Sequence, residues 1–295
     1  MGTLIGKAYH ILSGAADHTY VECGTGKVGW SCWGGKTGGQ ELAGARGTGS
    51  TNQANAIAGA NERGGITCYA INGVCHQAAN RILWPARILV SAARGYWVSS
   101  SLYTTYGREN LNFLHICEAP FNQHNDVTGD LPDCVETLKL EASQAYLSAR
   151  HFELANRDIS AEKTFAEAAM ALHTKARSLA VAKDAEVHLS YQQEHFSLQS
   201  QYRLGAIYSK NLGQSLNNLI TDIENERLEL ERAYADKELN LKDFASQFNE
   251  LTVKFQDYMA ETLAPEQYRA YFSLERTERV ILLDPDILDK MVLAG

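Results

Sequence analysis

Residues 71–83 read Ile71-Asn72-Gly73-Val74-Cys75-His76-Gln77-Ala78-Ala79-Asn80-Arg81-Ile82-Leu83, and their reading decides the fold of the first half of the chain. The apolar run Ile66-Thr67-Cys68-Tyr69-Ala70-Ile71 before them has the length and flanks of a buried strand. Asn72-Gly73 ends that run with a turn, and a helix-like segment opens with Cys75 in its first turn. Pro85 lies too deep for a first turn and should end or kink that helix. A thiol at a helix start sits among unpaired backbone N–H groups at the positive end of the dipole, which favours the thiolate. A thiolate attacks carbonyl carbon, so this is one way a chain presents a cysteine nucleophile. The competing reading is a buried structural cysteine at a strand–helix junction, since free cysteine is among the most buried residue types. Polar His76, Gln77, Asn80 and Arg81 around the thiol weigh toward the nucleophile.

Upstream, residues 8–12 and 18–23 read as two short strands, with Ser13-Gly14-Ala15-Ala16-Asp17 as the turn of a hairpin. A nucleophilic cysteine needs an imidazole to take its proton, and the hairpin offers His10 and His18. Glu22 shares a strand face with His18, four residues on, and is the candidate to orient that ring. The oxyanion donors would be the backbone N–H of Cys75 with Gln77 or Asn72. Within the glycine-rich passage from Gly24 to Gly65, Asn52–Asn61 reads as a short helix. Ala86–Tyr106 fits helix or strand, and Asn110–Glu118 looks like a further strand.

The pieces Tyr9-His10-Ile11-Leu12, His18-Thr19-Tyr20-Val21-Glu22 and Gly73-Val74-Cys75-His76-Gln77 resemble the circularly permuted papain-like fold. That group includes permuted NlpC-like peptidases and amidases and lecithin:retinol acyltransferase-like enzymes. The resemblance spans residues 8–120 and implies Cys75 as nucleophile and His10 or His18 as base. It implies cleavage or transfer of an acyl group from an amide or ester, with a peptide or cell-wall fragment as one substrate class. The glycine-rich passage departs from the pattern, and residues 135–295 match nothing in it.

Composition divides the chain near residue 134. All six cysteines, all four tryptophans and 20 of the 23 glycines lie at or before Cys134. The first part carries nine basic and nine acidic residues, so the remaining 18 basic and 26 acidic residues supply the whole net charge of −8. The expected organisation is therefore an α+β unit with a small antiparallel sheet over 1–134, followed by a helical unit over 135–295. The boundary would fall near Asn125–Asp133, which is polar and holds Gly129 and Pro132.

In the second unit apolar residues fall on a heptad: Leu216, Ile223, Leu230, Phe244, Leu251 and Tyr258, with Ile220, Tyr234, Leu241, Phe248 and Phe255 four residues further along. Arg227 and Lys237 interrupt the seam. This predicts a single helix of about 45 residues, roughly 65 to 70 Å long at 1.5 Å per residue, packed as a helical hairpin or bundle. Its partners would come from Val135–Tyr208, with Leu138, Ala142, Ala145, Ala149 and Phe152 on one face, a break at Asn156–Ser160 and Ser160 as the next N-cap. Ala264–Asp286 would be a capping tail, and the bundle would serve docking or self-association.

Other chemistries fit less well. Zinc at Cys32, Cys68, Cys75 and His76 lacks the close ligand pairs such sites use. A phosphate loop at Gly34-Gly35-Lys36-Thr37 needs glycine at position 30, which is Trp30. His115, His124 and Asp126 would serve an unpermuted papain-like order. His151, His173, His188 and His195 are scattered over helix surfaces with no catalytic spacing. No metal or cofactor is expected. The acidic balance argues against nucleic acid or anionic membrane as partner. No apolar run reaches 18 residues and no basic-then-apolar leader is visible, so the expectation is a cytoplasmic protein with reduced thiols. The rival class is a non-enzymatic interaction protein whose helical half docks a partner.

Overall fold

In the computed structural model, which describes residues 1–23, 37–62, 70, 71, 73–108, 159–180 and 185–284, the first two elements are β1 (Gly2–Ile11) and β2 (Ala16–Cys23). They pair antiparallel around a 3-10 turn, Leu12–Gly14, whose Leu12 and Gly14 take φ of 51° and 87°. The register sets His10 opposite Asp17, Tyr9 opposite His18 and Ala8 opposite Thr19. Side chains alternate along a strand, so Leu4, Ala8, His10, Asp17, Thr19 and Val21 share one face. Lys7, Tyr9, His18, Tyr20 and Glu22 share the other.

The glycine-rich passage, where no strand is expected, supplies the third strand, β3 (Gln40–Gly49), on the other edge of β1. Gly44 takes φ of 77°, whereas Gly47 and Gly49 at the strand's end are there for packing. A Cβ on Gly49 would stand 2.6 Å from the carbonyl carbon of Pro85, so only glycine lets the strand end against that turn. Helix α1 (Thr51–Glu62) follows, with the Ser50 hydroxyl accepting the N–H of Gln53 at 3.3 Å.

Ala70 and Ile71, the end of the run expected as a strand, form a turn instead. Ala70 takes φ of 74° and its N–H donates to the Gly73 carbonyl at 3.0 Å. Residues 66–69 lie outside the described residues. Helix α2 (Cys75–Leu83) then crosses the Leu4–Ala8 face, with Leu83 over Gly6, and passes into a 3-10 turn, Trp84–Ala86, at Pro85. The ambiguous stretch that follows contains α3 (Tyr96–Tyr103), buried along its whole length. A polar triplet tolerates this burial because Ser99 and Ser101 return their hydroxyls to the carbonyls of Tyr96 and Trp97, both at 2.8 Å. The expected strand at 110–118, the boundary at 125–133 and the apolar face at 138–152 lie outside the described residues.

Among the described residues five α-helices follow: α4 (Ile159–Ala180), α5 (Ala185–Leu204), α6 (Lys210–Ala235), α7 (Leu241–Thr262) and α8 (Pro265–Phe272). Helix α4 already begins at Ile159, so Ser160 lies inside its first turn and not at the cap. The single long helix expected through 216–258 is two helices. The break falls at Lys237, one of the two interruptions in the heptad, which takes φ of 64°, and Asn240 caps α7 by accepting the N–H of Asp243 at 2.9 Å. Tyr234 packs on Phe244 and Lys254 reaches Glu226, so α6 and α7 run antiparallel. The seam residues Leu216, Ile220, Ile223, Phe244, Phe248, Leu251 and Phe255 are buried, whereas Tyr258 is 42% exposed, the buried stripe of α7 stepping from Phe255 to Met259. Beyond α8 the chain lies along α7. Gln256 exchanges two hydrogen bonds with the backbone of Val280, and Asn249 holds Leu282 and Leu283.

The molecule is thus α+β, a three-stranded antiparallel sheet with several helices. Among the described residues its two compositional parts share one core. One buried cluster runs from Leu4 and Val21 through Trp97 and Tyr103 to Phe165, Phe196, Phe248 and Tyr271. Trp97 of α3 packs on Phe165 and Tyr202, and Tyr103 stacks on Phe248.

Candidate functional site

The N-terminus of α2 abuts the outer edge of β2, and this contact builds the site. At the residues flanking the hairpin turn the backbone of β2 points away from β1, so the Asp17 N–H donates to the Arg94 carbonyl at 3.2 Å and its carbonyl is left for α2. That carbonyl accepts the Cys75 thiol at 3.8 Å and the His76 ring at 3.1 Å. Below it the Asp17 carboxylate accepts His10 Nδ1 at 2.5 Å and the Arg94 N–H at 2.8 Å. Asp17 is therefore the residue through which His10, Cys75 and His76 meet. Sequence reading places it only as a turn residue. Its signal was its place at the mouth of a tight hairpin, directly across from His10.

Cys75 is 9% exposed, and the groups acting on its thiol are Asp17, Thr19 and the helix N–H of His76. Burial pushes the thiol up, and the stabilising Thr19 N–H and hydroxyl and the His76 N–H do not offset it. The depressed value expected of a helix-start cysteine is not found, because desolvation of the charged form outweighs the first-turn N–H groups. Cys75 and Cys23 are both free thiols.

The two hairpin histidines part ways. The His10 side chain is 77% exposed at the strand end, with Nδ1 tied to Asp17 and Nε2 the remaining nitrogen. His18 is buried on the opposite face, its ring 5.0 Å from that of Tyr9. Glu22 shares that face with His18, but its carboxylate pairs with Lys7 and raises the lysine's pKa. Neither imidazole is among the groups acting on the Cys75 thiol.

Gln77 is buried and both ends of its amide are engaged. Oε1 accepts the Val74 N–H at 3.0 Å, capping α2, while Nε2 donates to the Thr104 carbonyl at 3.1 Å and the Ser99 hydroxyl at 3.3 Å. It stitches α2 to α3 rather than facing an open site. His76 is likewise committed. The Asp17 carbonyl can only accept, so the ring proton sits on Nε2, and Nδ1 lies 2.8 Å from the Ser99 oxygen, whose one proton it shares with the Tyr96 carbonyl. Burial lowers its pKa to about 4, so the ring is neutral near pH 7.

Asn72, Cys32, Cys68, His115, His124, Asp126 and His151 lie outside the described residues. Among the described residues no group of three or more His, Cys, Asp or Glu could hold a metal ion, and no helix is long and apolar enough to cross a membrane. His195 is not a surface residue. Its Nε2 lies 2.9 Å from both the N–H and the hydroxyl of Thr105, tying α5 to the end of α3. Comparison with protein-family models, characterised proteins and solved structures finds no match to this chain.

Proposed function

We propose that the first part of the chain is a thiol-dependent hydrolase or acyltransferase acting on an amide or ester, with Cys75 as nucleophile, His10 as base and Asp17 as the residue that orients the base. The observation that carries this reading is the double engagement of Asp17. Its carboxylate holds His10 Nδ1 at 2.5 Å while its carbonyl holds the Cys75 thiol at 3.8 Å. A carboxylate on Nδ1 puts the lone pair of a neutral ring on Nε2, the arrangement a general base needs. Of the two hairpin histidines, His10 is on the strand face that α2 covers, and Asp17 rather than Glu22 is its partner. A sheet edge meeting a cysteine-started helix is also what the permuted papain-like reading requires.

In the reaction His10 takes the thiol proton, sulfur adds to the carbonyl carbon, and the tetrahedral oxygen is met by the Cys75 backbone N–H at the helix start. Collapse expels the amine or alcohol, which recovers the proton from His10. Water or a second acceptor then releases the acyl group from sulfur. A thiol held protonated and buried at rest suits a nucleophile that is deprotonated only when substrate brings base and sulfur together.

A second reading is favoured by the burial of Cys75, where among the described residues no imidazole acts on its thiol. Cys75 is then a structural junction, and the protein is a scaffold whose helical half docks a partner. One experiment separates the two. A small activated ester should acylate Cys75 faster than Cys23 in the same chain, and His10→Ala should slow that acylation by at least ~10-fold with the melting temperature nearly unchanged. Acylation of Cys75 no faster than Cys23, and indifferent to His10, selects the scaffold.

A further inference from the structure

Arg227 interrupts the heptad of α6, yet it is the largest fully buried side chain of the described residues, at 0% exposure. Its guanidinium does not turn back into its own helix alone. Nη2 donates to the carbonyl of Ile71 at 3.0 Å and Nη1 to the carbonyl of Leu102, near the end of α3. Ile71 lies four residues before Cys75. The carbonyl just before it, Ala70, accepts the Tyr103 hydroxyl at 2.6 Å, and the Tyr103 ring lies under the guanidinium at 4.2 Å. Two consecutive carbonyls of the turn that leads into α2 are therefore taken by one residue of α3 and one of α6. Ala70, at φ of 74°, is in a conformation that L-residues adopt only when held.

We propose that Arg227 is a positioning residue for the nucleophile: the helical half of the chain clamps the turn at Ala70 and Ile71 and thereby fixes where Cys75 sits against Asp17. The proposal rests on the reading of Cys75 as the reactive thiol. Glu231 holds the clamp from behind, accepting Arg227 Nε at 2.8 Å, and Arg108 bridges Glu231 at 3.2 Å and Glu224 at 2.6 Å. Two positive and two negative groups are thus buried together. Stability alone does not account for such a cluster, since packed apolar residues in its place are often neutral or better. What an apolar side chain cannot do is bond two carbonyls from two different elements.

The test is made on the full chain with two variants, Arg227→Lys, which keeps the charge but not the two-pronged reach, and Arg227→Met with Glu231→Leu, which removes both charges and keeps volume. Alkylation of Cys75 and Cys23 is followed by mass spectrometry across pH. With the clamp lost, the Cys75 rate should change by at least ~10-fold and its pH midpoint should fall toward the ordinary thiol value, while Cys23 is unchanged. A folded variant whose Cys75 rate and midpoint match wild type overturns the proposal. A third measurement needs no variant. In the wild-type chain the N–H groups of Ala70 and Val74 should exchange with solvent only at the rate of global unfolding, and fast exchange there also overturns it. Whether His10 activates Cys75 is read in His10→Ala alone, so failure of the clamp and failure of the catalytic assignment give different results.

Discussion

Asp17 shows how one residue in a hairpin can serve several partners at once. Its side chain and carbonyl point to different neighbours because the backbone at a hairpin mouth alternates between facing the partner strand and facing away. The same carbonyl fixes the tautomer of His76, whose pKa falls to about 4 because burial penalises the cation. For a base whose folded pKa lies below the ordinary 6.5, the unfolded chain binds the proton first. The stabilisation is therefore complete above pH 6.5 and is lost as pH falls toward 4. Between those limits the shift corresponds to about 3 kcal/mol. His76→Gln should flatten that loss, as measured by urea unfolding at a series of pH values. An unchanged pH dependence would mean that another group carries it.

At the scale of elements, the α6–α7 corner is set by residues that look minor in the sequence. A heptad needs only apolar residues at the right spacing, and it runs through 237 without regard for backbone conformation. Lys237 in the left-handed region ends α6, and the Asn240 side chain satisfies the free N–H of Asp243 in the first turn of α7. Removing that cap in Asn240→Ala should cost about 1 kcal/mol, seen as a lower urea midpoint with an unchanged slope. A shift indistinguishable from zero would mean that packing of Phe244 and Phe248 alone places the start of α7. Helix α3 makes a related point. Its Tyr-Trp-Val-Ser-Ser-Ser-Leu-Tyr sequence carries no amphipathic stripe, because the helix is covered on all sides.

For the whole molecule, the sharp change in composition near residue 134 does not mark a break in the core. Gln192, Gln199 and Arg203 of α5 reach the α3 segment, the two glutamines through the carbonyls of Ser101 and Trp97 and the arginine over the Trp97 ring. Arg94 pairs with Glu278 near the far end of the chain at 2.8 Å. Parts tied in this way should unfold together. All four tryptophans lie in the first part and most described helix in the second, so the two are separately observable. Tryptophan fluorescence and circular dichroism at 222 nm should give coincident transitions in the full chain. Two separated transitions would show that the shared core contributes little coupling, and that the parts fold as the composition alone suggests.

The hairpin with His10 on its first strand, the helix opened by Cys75 and ended near Pro85, and the apolar positions of α6 and α7 were legible in the sequence. Each is a local pattern, fixed by turn residues or by the period of one element. The register that joins His10 to Asp17, the second face that takes His18 away, and the engagement of Gln77 in capping were not legible. They depend on which strand edge and which helix come together, and spacing along the chain does not encode that. The thiol shift is a case of the same limit. A helix start favours the thiolate for local reasons, but the desolvation that reverses it comes from everything packed around Cys75. Arg227 reads in the sequence as a fault in a heptad, and only the tertiary structure gives it a purpose, because its two carbonyl partners lie more than a hundred residues away.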